Sequence, residues 1–141
     1  MPSRTRTRIQ VRFPDIDMAH HVHNAVYLTY FETARTEFLD GFIPTDHDWS
    51  RKGLVLGRNE VDYRRPVRLR DAVEVETWCD RLGDRSFDLR YALFVKNGRA
   101  RTLHAEGRSV LVCFDLEAGR TIPMPGKWRA ALKEGMEKEG T

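Results

Sequence analysis

Two cysteines are too few for a disulfide scaffold, and neither Cys79 nor Cys113 has a neighbour at metal-ligand or redox spacing. Each falls in a strand-like pattern, so both are expected as buried free thiols. No apolar run approaches the ~20 residues of a membrane span. The opening M-P-S-R-T-R-T-R lacks the apolar core of a signal peptide. The expectation is a cytoplasmic protein that makes no use of a membrane. Repeats, low-complexity tracts and linker-like stretches are also missing, which leaves one domain over residues 1–141. Lysine is scarce: arginine supplies 19 of the 24 basic residues, at a formal net charge of +3. The arginine fork suits phosphate. Nucleic acid is nevertheless not expected as a partner, because no aromatics are interleaved with the arginines of the first strand as a stacking platform.

What is present is concentrated in one stretch, Arg12 to Gly41: R-F-P-D-I-D-M-A-H-H-V-H-N-A-V-Y-L-T-Y-F-E-T-A-R-T-E-F-L-D-G. An acidic pair, Asp15 and Asp17, precedes the histidines His20, His21 and His23. Tyr27, Phe31, Ala34 and Phe38 then recur at one face of a 3.6-residue helix. Leu28, Leu39, Val26 and Tyr30 widen the apolar surface, so burial on more than one side is expected. With Asn24 as N-cap and Gly41 as C′ residue, the spacing predicts a helix from about Ala25 to Asp40. A carboxylate-bearing loop thus runs into the positive end of a buried helix, where free N–H groups suit a developing oxyanion or a phosphate.

Around this stretch the chain is strand-like. Thr5 to Phe13 alternates Arg6, Arg8, Gln10 and Arg12 with Thr7, Ile9, Val11 and Phe13. Further strands are predicted at Leu54–Arg65, Asp71–Arg81, Ser86–Lys96 and Arg101–Leu116, with Gly107 as a bulge in the last. Gly83-Asp84 and Asn97-Gly98 are turn signals that predict antiparallel pairing of consecutive strands. Trp128, Leu132 and Met136 mark a short amphipathic helix with a charged tail that should fray. A strand, one long helix and four antiparallel strands give an α+β architecture in which the sheet wraps the helix.

The segment F-P-D-I-D-M-A-H-H-V-H-N-A-V-Y-L-T-Y-F-E-T-A-R resembles the signature of hotdog-fold acyl-CoA thioesterases of the 4-hydroxybenzoyl-CoA thioesterase type, and is most similar to the branch that includes long-chain acyl-CoA thioesterases. The likeness continues through V-D-Y-R-R-P-V-R-L-R-D, S-F, A-E-G and V-L-V-C-F-D. It implies a hotdog fold, an antiparallel sheet wrapped around one long central helix, acting on an acyl-CoA without metal or organic cofactor. Two departures stand out. The family often has glycine or glutamine where this chain has His20, and asparagine where it has His23. His20 would have to take a backbone geometry that glycine supplies more cheaply.

By resemblance the catalytic carboxylate is Asp17, as nucleophile or general base. The backbone N–H of Asn24 is the expected oxyanion donor. His21 and Tyr27 are expected at the substrate site, and Arg64 and Arg65 near the coenzyme A phosphates. On the residues alone Asp17 could equally cap a turn, and Asp15 reads as a loop hydrogen-bonder or partner of Arg12. Glu32 is the rival acid, or an exposed partner of Arg35. The histidines match no zinc spacing, so no metal is expected. Tyr27, Tyr30, Phe31 and the Trp49 loop are candidate pocket walls. The resemblance also implies a homodimer, and a homotetramer built from two, with sheets joined edge to edge; Thr5–Phe13, Ser86–Lys96 and Arg101–Leu116 offer edges without proline. A non-catalytic acyl-CoA-binding module on the same fold is the alternative, resting on the loss of glycine at position 20.

Overall fold

The alternation of apolar residues in the second half produces long strands because one side of each can be covered by a single helix. A computed structural model describes residues 3–139. Its strands are β1 (Thr5–Ile9), β2 (Gly53–Tyr63), β3 (Ala72–Leu82), β4 (Ser86–Asn97), β5 (Ala100–Asp115) and the two-residue β6 (Arg120–Thr121). The helices are α1 (Val26–Asp40) and α2 (Gly126–Glu139). All pairs are antiparallel, in the order β1-β3-β4-β5-β2, with β6 beside β5.

Helix α1 packs on the face formed by Val73, Val75 and Thr77 of β3 and Leu89, Tyr91 and Leu93 of β4, all of them buried. It contributes Tyr27, Tyr30, Phe31, Ala34 and Phe38. Phe31 stacks on Tyr91 with centroids 4.7 Å apart and planes 10° off parallel. This contact sets the residue at position 107. A Cβ on Gly107 would stand 2.5 Å from Phe31 Cε2. The glycine is therefore no bulge: it pairs in register with Tyr91 on one side and Val61 on the other. The real irregularity in β5 falls at His104, skipped between the pairs Leu93–Ala105 and Phe94–Leu103. The freed His104 carbonyl accepts the backbone N–H groups of Arg64 and Arg65, at 2.8 and 3.0 Å.

Several expectations are corrected. β1 stops at Ile9, and Phe13 starts a 3-10 turn with 81% of its surface exposed. β2 pairs with β5 rather than with its neighbour β3, so the open edges are β1 and β2 while β4 and β5 lie inside the sheet. α1 is covered on one side within the chain: Leu28, Thr29, Glu32, Thr33, Thr36 and Glu37 are exposed. The residue after α1, Gly41, has φ −67°, and the chain winds on through Ile43 N–H to Leu39 C=O (2.8 Å) instead of reversing through a left-handed cap. α2 stays helical to Glu139, where a frayed tail is expected, with Arg4 bonded to Glu139.

Cys79 and Cys113 are free and buried as expected. Burial pushes the Cys79 thiol up to about 12 and that of Cys113 to about 11. Such thiols are protonated and inert. Among the described residues no helix is long and apolar enough to cross a membrane.

Candidate active site

The acidic pair splits into two roles. Asp15 is buried, and its Oδ2 accepts the Arg12 backbone N–H (2.9 Å) and the Tyr30 hydroxyl (2.7 Å). Its Oδ1 faces the Arg12 guanidinium at 3.4 Å, and its carbonyl accepts the His23 N–H at 2.8 Å. Burial raises its carboxyl, but these hydrogen bonds and the Arg12 charge outweigh it and hold the group below the usual carboxylate value. Asp15 is thus the pin that ties the loop to α1, as expected of a structural residue.

From Ile16 to Val22 the chain makes a small hairpin closed by the Ile16–Val22 bridge. Asp17 C=O accepts His20 N–H (3.0 Å) and Asp17 N–H donates to His21 C=O (2.9 Å). His20 sits at φ +65°, the left-handed position that such three-residue turns reserve for glycine. The turn closes around histidine with its bonds intact. Asp17 Oδ1 accepts Ala19 N–H at 2.9 Å, the turn-capping role. Its Oδ2 has no hydrogen-bond partner among the described residues, and the side chain is half-buried.

The helix start differs from expectation in detail. α1 begins at Val26 with Ala25 as its cap residue, and the side chain that receives a free N–H is His23, not Asn24: Ala25 N–H donates to His23 Nδ1 at 3.1 Å. The His23 carbonyl accepts Val26 N–H at 2.9 Å. In a trans peptide the N–H lies opposite the C=O. The Asn24 N–H therefore points back out of the helix start, and it meets no acceptor among the described residues.

These elements enclose an open cleft of about 420 Å³ between the hairpin, the start of α1 and the exit of β2. Asp17, His21, Asn24, Tyr27, Arg64 and Arg65 all line it, joined by Val22, Tyr63 and Pro66. Val22 N–H fastens the hairpin to Val67 C=O at 2.8 Å. Tyr27 is buried, and burial together with the nearby Tyr63 and Asp17 raises its phenol. Burial likewise raises Tyr63. Arg64 is tied to Glu106 at 2.9 Å, whereas Arg65 is exposed and has no ion pair among the described residues.

Other candidates lie elsewhere. Glu32 is exposed and 3.7 Å from Arg35, outside the cleft. Tyr30 and Phe31 are spent on Asp15 and Tyr91. Trp49 packs against His47 and Trp128 rather than lining the cleft. Among the described residues no three His, Cys, Asp or Glu side chains converge as metal ligands would. Tyr63 escapes the reading of the residues, though β-alternation places it on the same inner face as Val61, towards α1.

Residues 11–132 match the thioesterase-like superfamily. The chain belongs to that family. Its fold is of the hotdog type, and the family match together with the thioesterases it resembles makes it a thioester hydrolase. It is 28% identical over 138 residues to the long-chain acyl-CoA thioesterase FadM of Escherichia coli K12, covering 92% of this chain and 97% of that one. A predicted thioesterase from Bacillus stearothermophilus superposes with a TM-score of 0.83 at 30% identity, over 94% of this chain and 96% of that one. A thioesterase from Thermus thermophilus, solved with coenzyme A and Zn, gives 0.79 at 35% identity over 92% of both.

Proposed function

We propose that this thioesterase hydrolyses an acyl-CoA thioester to free acid and CoA at the Asp17 cleft. The carrying observation is that one cleft holds both parts the chemistry needs: a half-buried carboxylate with one oxygen that no group among the described residues engages, and an outward amide N–H at the helix start that none of them engages either. The names of the relatives supply the substrate class. Asp17 acts either as nucleophile on the thioester carbon or as general base for water. As base, Asp17 takes a proton from water while the water oxygen bonds the carbonyl carbon, the C–S bond breaks, and that proton passes to the CoA thiolate. As nucleophile, its oxygen forms a mixed anhydride as the C–S bond breaks; water then cleaves the anhydride to the free acid and the Asp17 carboxylate, its released proton going to the thiolate. The Asn24 N–H meets the carbonyl oxygen as negative charge gathers there. His21 holds the Asp17 backbone through its carbonyl and, with Tyr27, borders the substrate. The turn at His20 keeps its hydrogen bonds, which supports the hydrolytic reading over a purely binding module. Two inert thiols and an acyl-CoA substrate suit the cytoplasm.

Thiol release from a panel of aromatic, short, medium and long acyl-CoAs tests this, and no release from any of them would contradict it. Arg65, at the cleft rim without an ion pair among the described residues, is the arginine we assign to the CoA phosphates; Arg64 is already paired with Glu106. Arg65→Ala should raise KM for acyl-CoA by roughly tenfold, the worth of one charge-assisted contact. It should leave a phosphate-free N-acetylcysteamine thioester unaffected. Arg64→Ala should do less.

We further propose a homodimer as the minimal unit, with twofold symmetry, and a tetramer formed by pairing two dimers. β2 is an 11-residue open edge without proline, and its end borders the cleft. Pairing along it would bring the second copy to each site. Light scattering over a dilution series, read beside specific activity, should show activity lost on dissociation. A fully active monomer would contradict the assembly.

A further inference from the structure

Tyr63 closes β2 with its ring set edge-on against Tyr27, the centroids 4.9 Å apart and the planes at 87°. Its hydroxyl donates to the Asn24 carbonyl at 2.9 Å. That carbonyl has no other donor among the described residues, because the Leu28 N–H turns instead to Ala25 C=O at 3.3 Å. The base of the phenol is firmly held. Tyr63 pairs with Ala105, and the next two N–H groups in the chain both donate to the bulged His104 carbonyl. The turn it reaches is tied at His23, whose N–H donates to Asp15 C=O and whose C=O and Nδ1 accept the Val26 and Ala25 N–H groups. His23, Asn24 and Ala25 are exposed and precede the regular helical ladder. A fixed strand end therefore holds the Asn24 carbonyl, the one acceptor of this turn that no backbone N–H engages among the described residues, next to the outward Asn24 N–H.

We propose that Tyr63 is a positioning residue whose hydroxyl holds the 23–25 turn so that the Asn24 amide faces the reacting thioester carbonyl. This rests on reading the Asp17 cleft as hydrolytic. An oxyanion donor acts only when aimed, in advance, at the place where charge develops. Small misplacements of such groups cost rate steeply. Removing the brace leaves the amide chemically intact but spread over more orientations. Because the Asn24 carbonyl is at the surface, water replaces the lost bond and the fold is hardly affected.

The test is Tyr63→Phe, which keeps the ring contact with Tyr27 and deletes only the hydroxyl. The expected result is a kcat lower by about tenfold, equivalent to ~1.4 kcal/mol at the transition state, with KM and melting temperature near wild type. The pH–rate profile should keep its shape at the lower plateau, and hydrogen exchange at the Ala25 and Val26 amides, which donate to His23 Nδ1 and C=O, should quicken. Unchanged kcat, or unchanged exchange, overturns the proposal. Loss of the alkaline limb of the profile also overturns it, since Tyr63 would then be a proton donor. If wild type hydrolyses no acyl-CoA, the hydrolytic reading falls first, and the exchange comparison alone decides whether Tyr63 holds the turn.

Discussion

Asp17→Asn should lower kcat by about 10²-fold or more, the range typical of losing a positioned acid or base. The amide keeps the size of the side chain and an oxygen that can still accept the Ala19 N–H, now met at 2.9 Å by Oδ1. The hairpin should therefore keep its form, with melting temperature and acyl-CoA affinity close to wild type. What disappears is the negative charge on the oxygen that no group among the described residues engages. Glu32→Gln is the matched control, because Glu32 is exposed and 3.7 Å from Arg35. It should change turnover little. Steady-state kinetics on both variants separates the two carboxylates: an inactive Glu32 variant beside an active Asp17 variant would place the chemistry on the helix instead.

Asp15→Ala should damage stability and activity together. The carboxylate accepts from the Arg12 backbone and the Tyr30 hydroxyl, and Tyr30 is left buried without an acceptor when it goes. Charge-assisted bonds are each worth roughly 1.5–3 kcal/mol and an orphaned buried hydroxyl costs about 1–3, so a loss of about 3 kcal/mol is expected. For a domain of this size that lowers the melting temperature by roughly 6–12 °C. Turnover should fall by roughly tenfold as well, because the pin between hairpin and helix is what sets Asp17 against Asn24. The same carboxylate predicts acid sensitivity. Its folded pKa lies below the unfolded one, so its contribution is complete above ~3.9 and fades as pH falls through the folded value. Asp88 is buried between Arg81 and Arg108, whose hydrogen bonds and charges outweigh burial, and it acts in the same direction. Urea midpoints measured from pH 7 to pH 3 should therefore drop chiefly below pH 4, less steeply in Asp15→Ala but not to zero slope.

Local periodicity carries much of this molecule. Tyr27, Phe31, Ala34 and Phe38 are all buried, as the 3.6-residue spacing predicts, and so are Phe87, Leu89, Tyr91, Leu93 and Val95 at spacing two. The likeness of the Asp17 loop and of the V-D-Y-R-R-P stretch to a known family names six of the nine residues that line the cleft before any contact is visible. What escapes is long-range. Which strands form the sheet edges depends on β2 crossing to β5, and no residue of β2 announces that partner. Gly107 reads as a bulge because its true constraint, the Phe31 ring, comes from an element more than 70 positions away. Tyr63 meets Asn24 across 39 positions. The helix start fails for a local reason: histidine is a rare capping residue, and the asparagine beside it is a common one.

The most direct measurement takes one acyl-CoA and follows both its equilibrium binding and its single-turnover hydrolysis, on wild type and on Asp17→Asn. The account predicts hydrolysis by wild type, and a variant that binds with a similar Kd while its single-turnover rate falls by about 10²-fold or more. Tight binding without hydrolysis by wild type, or equal single-turnover rates for the two proteins, would contradict it.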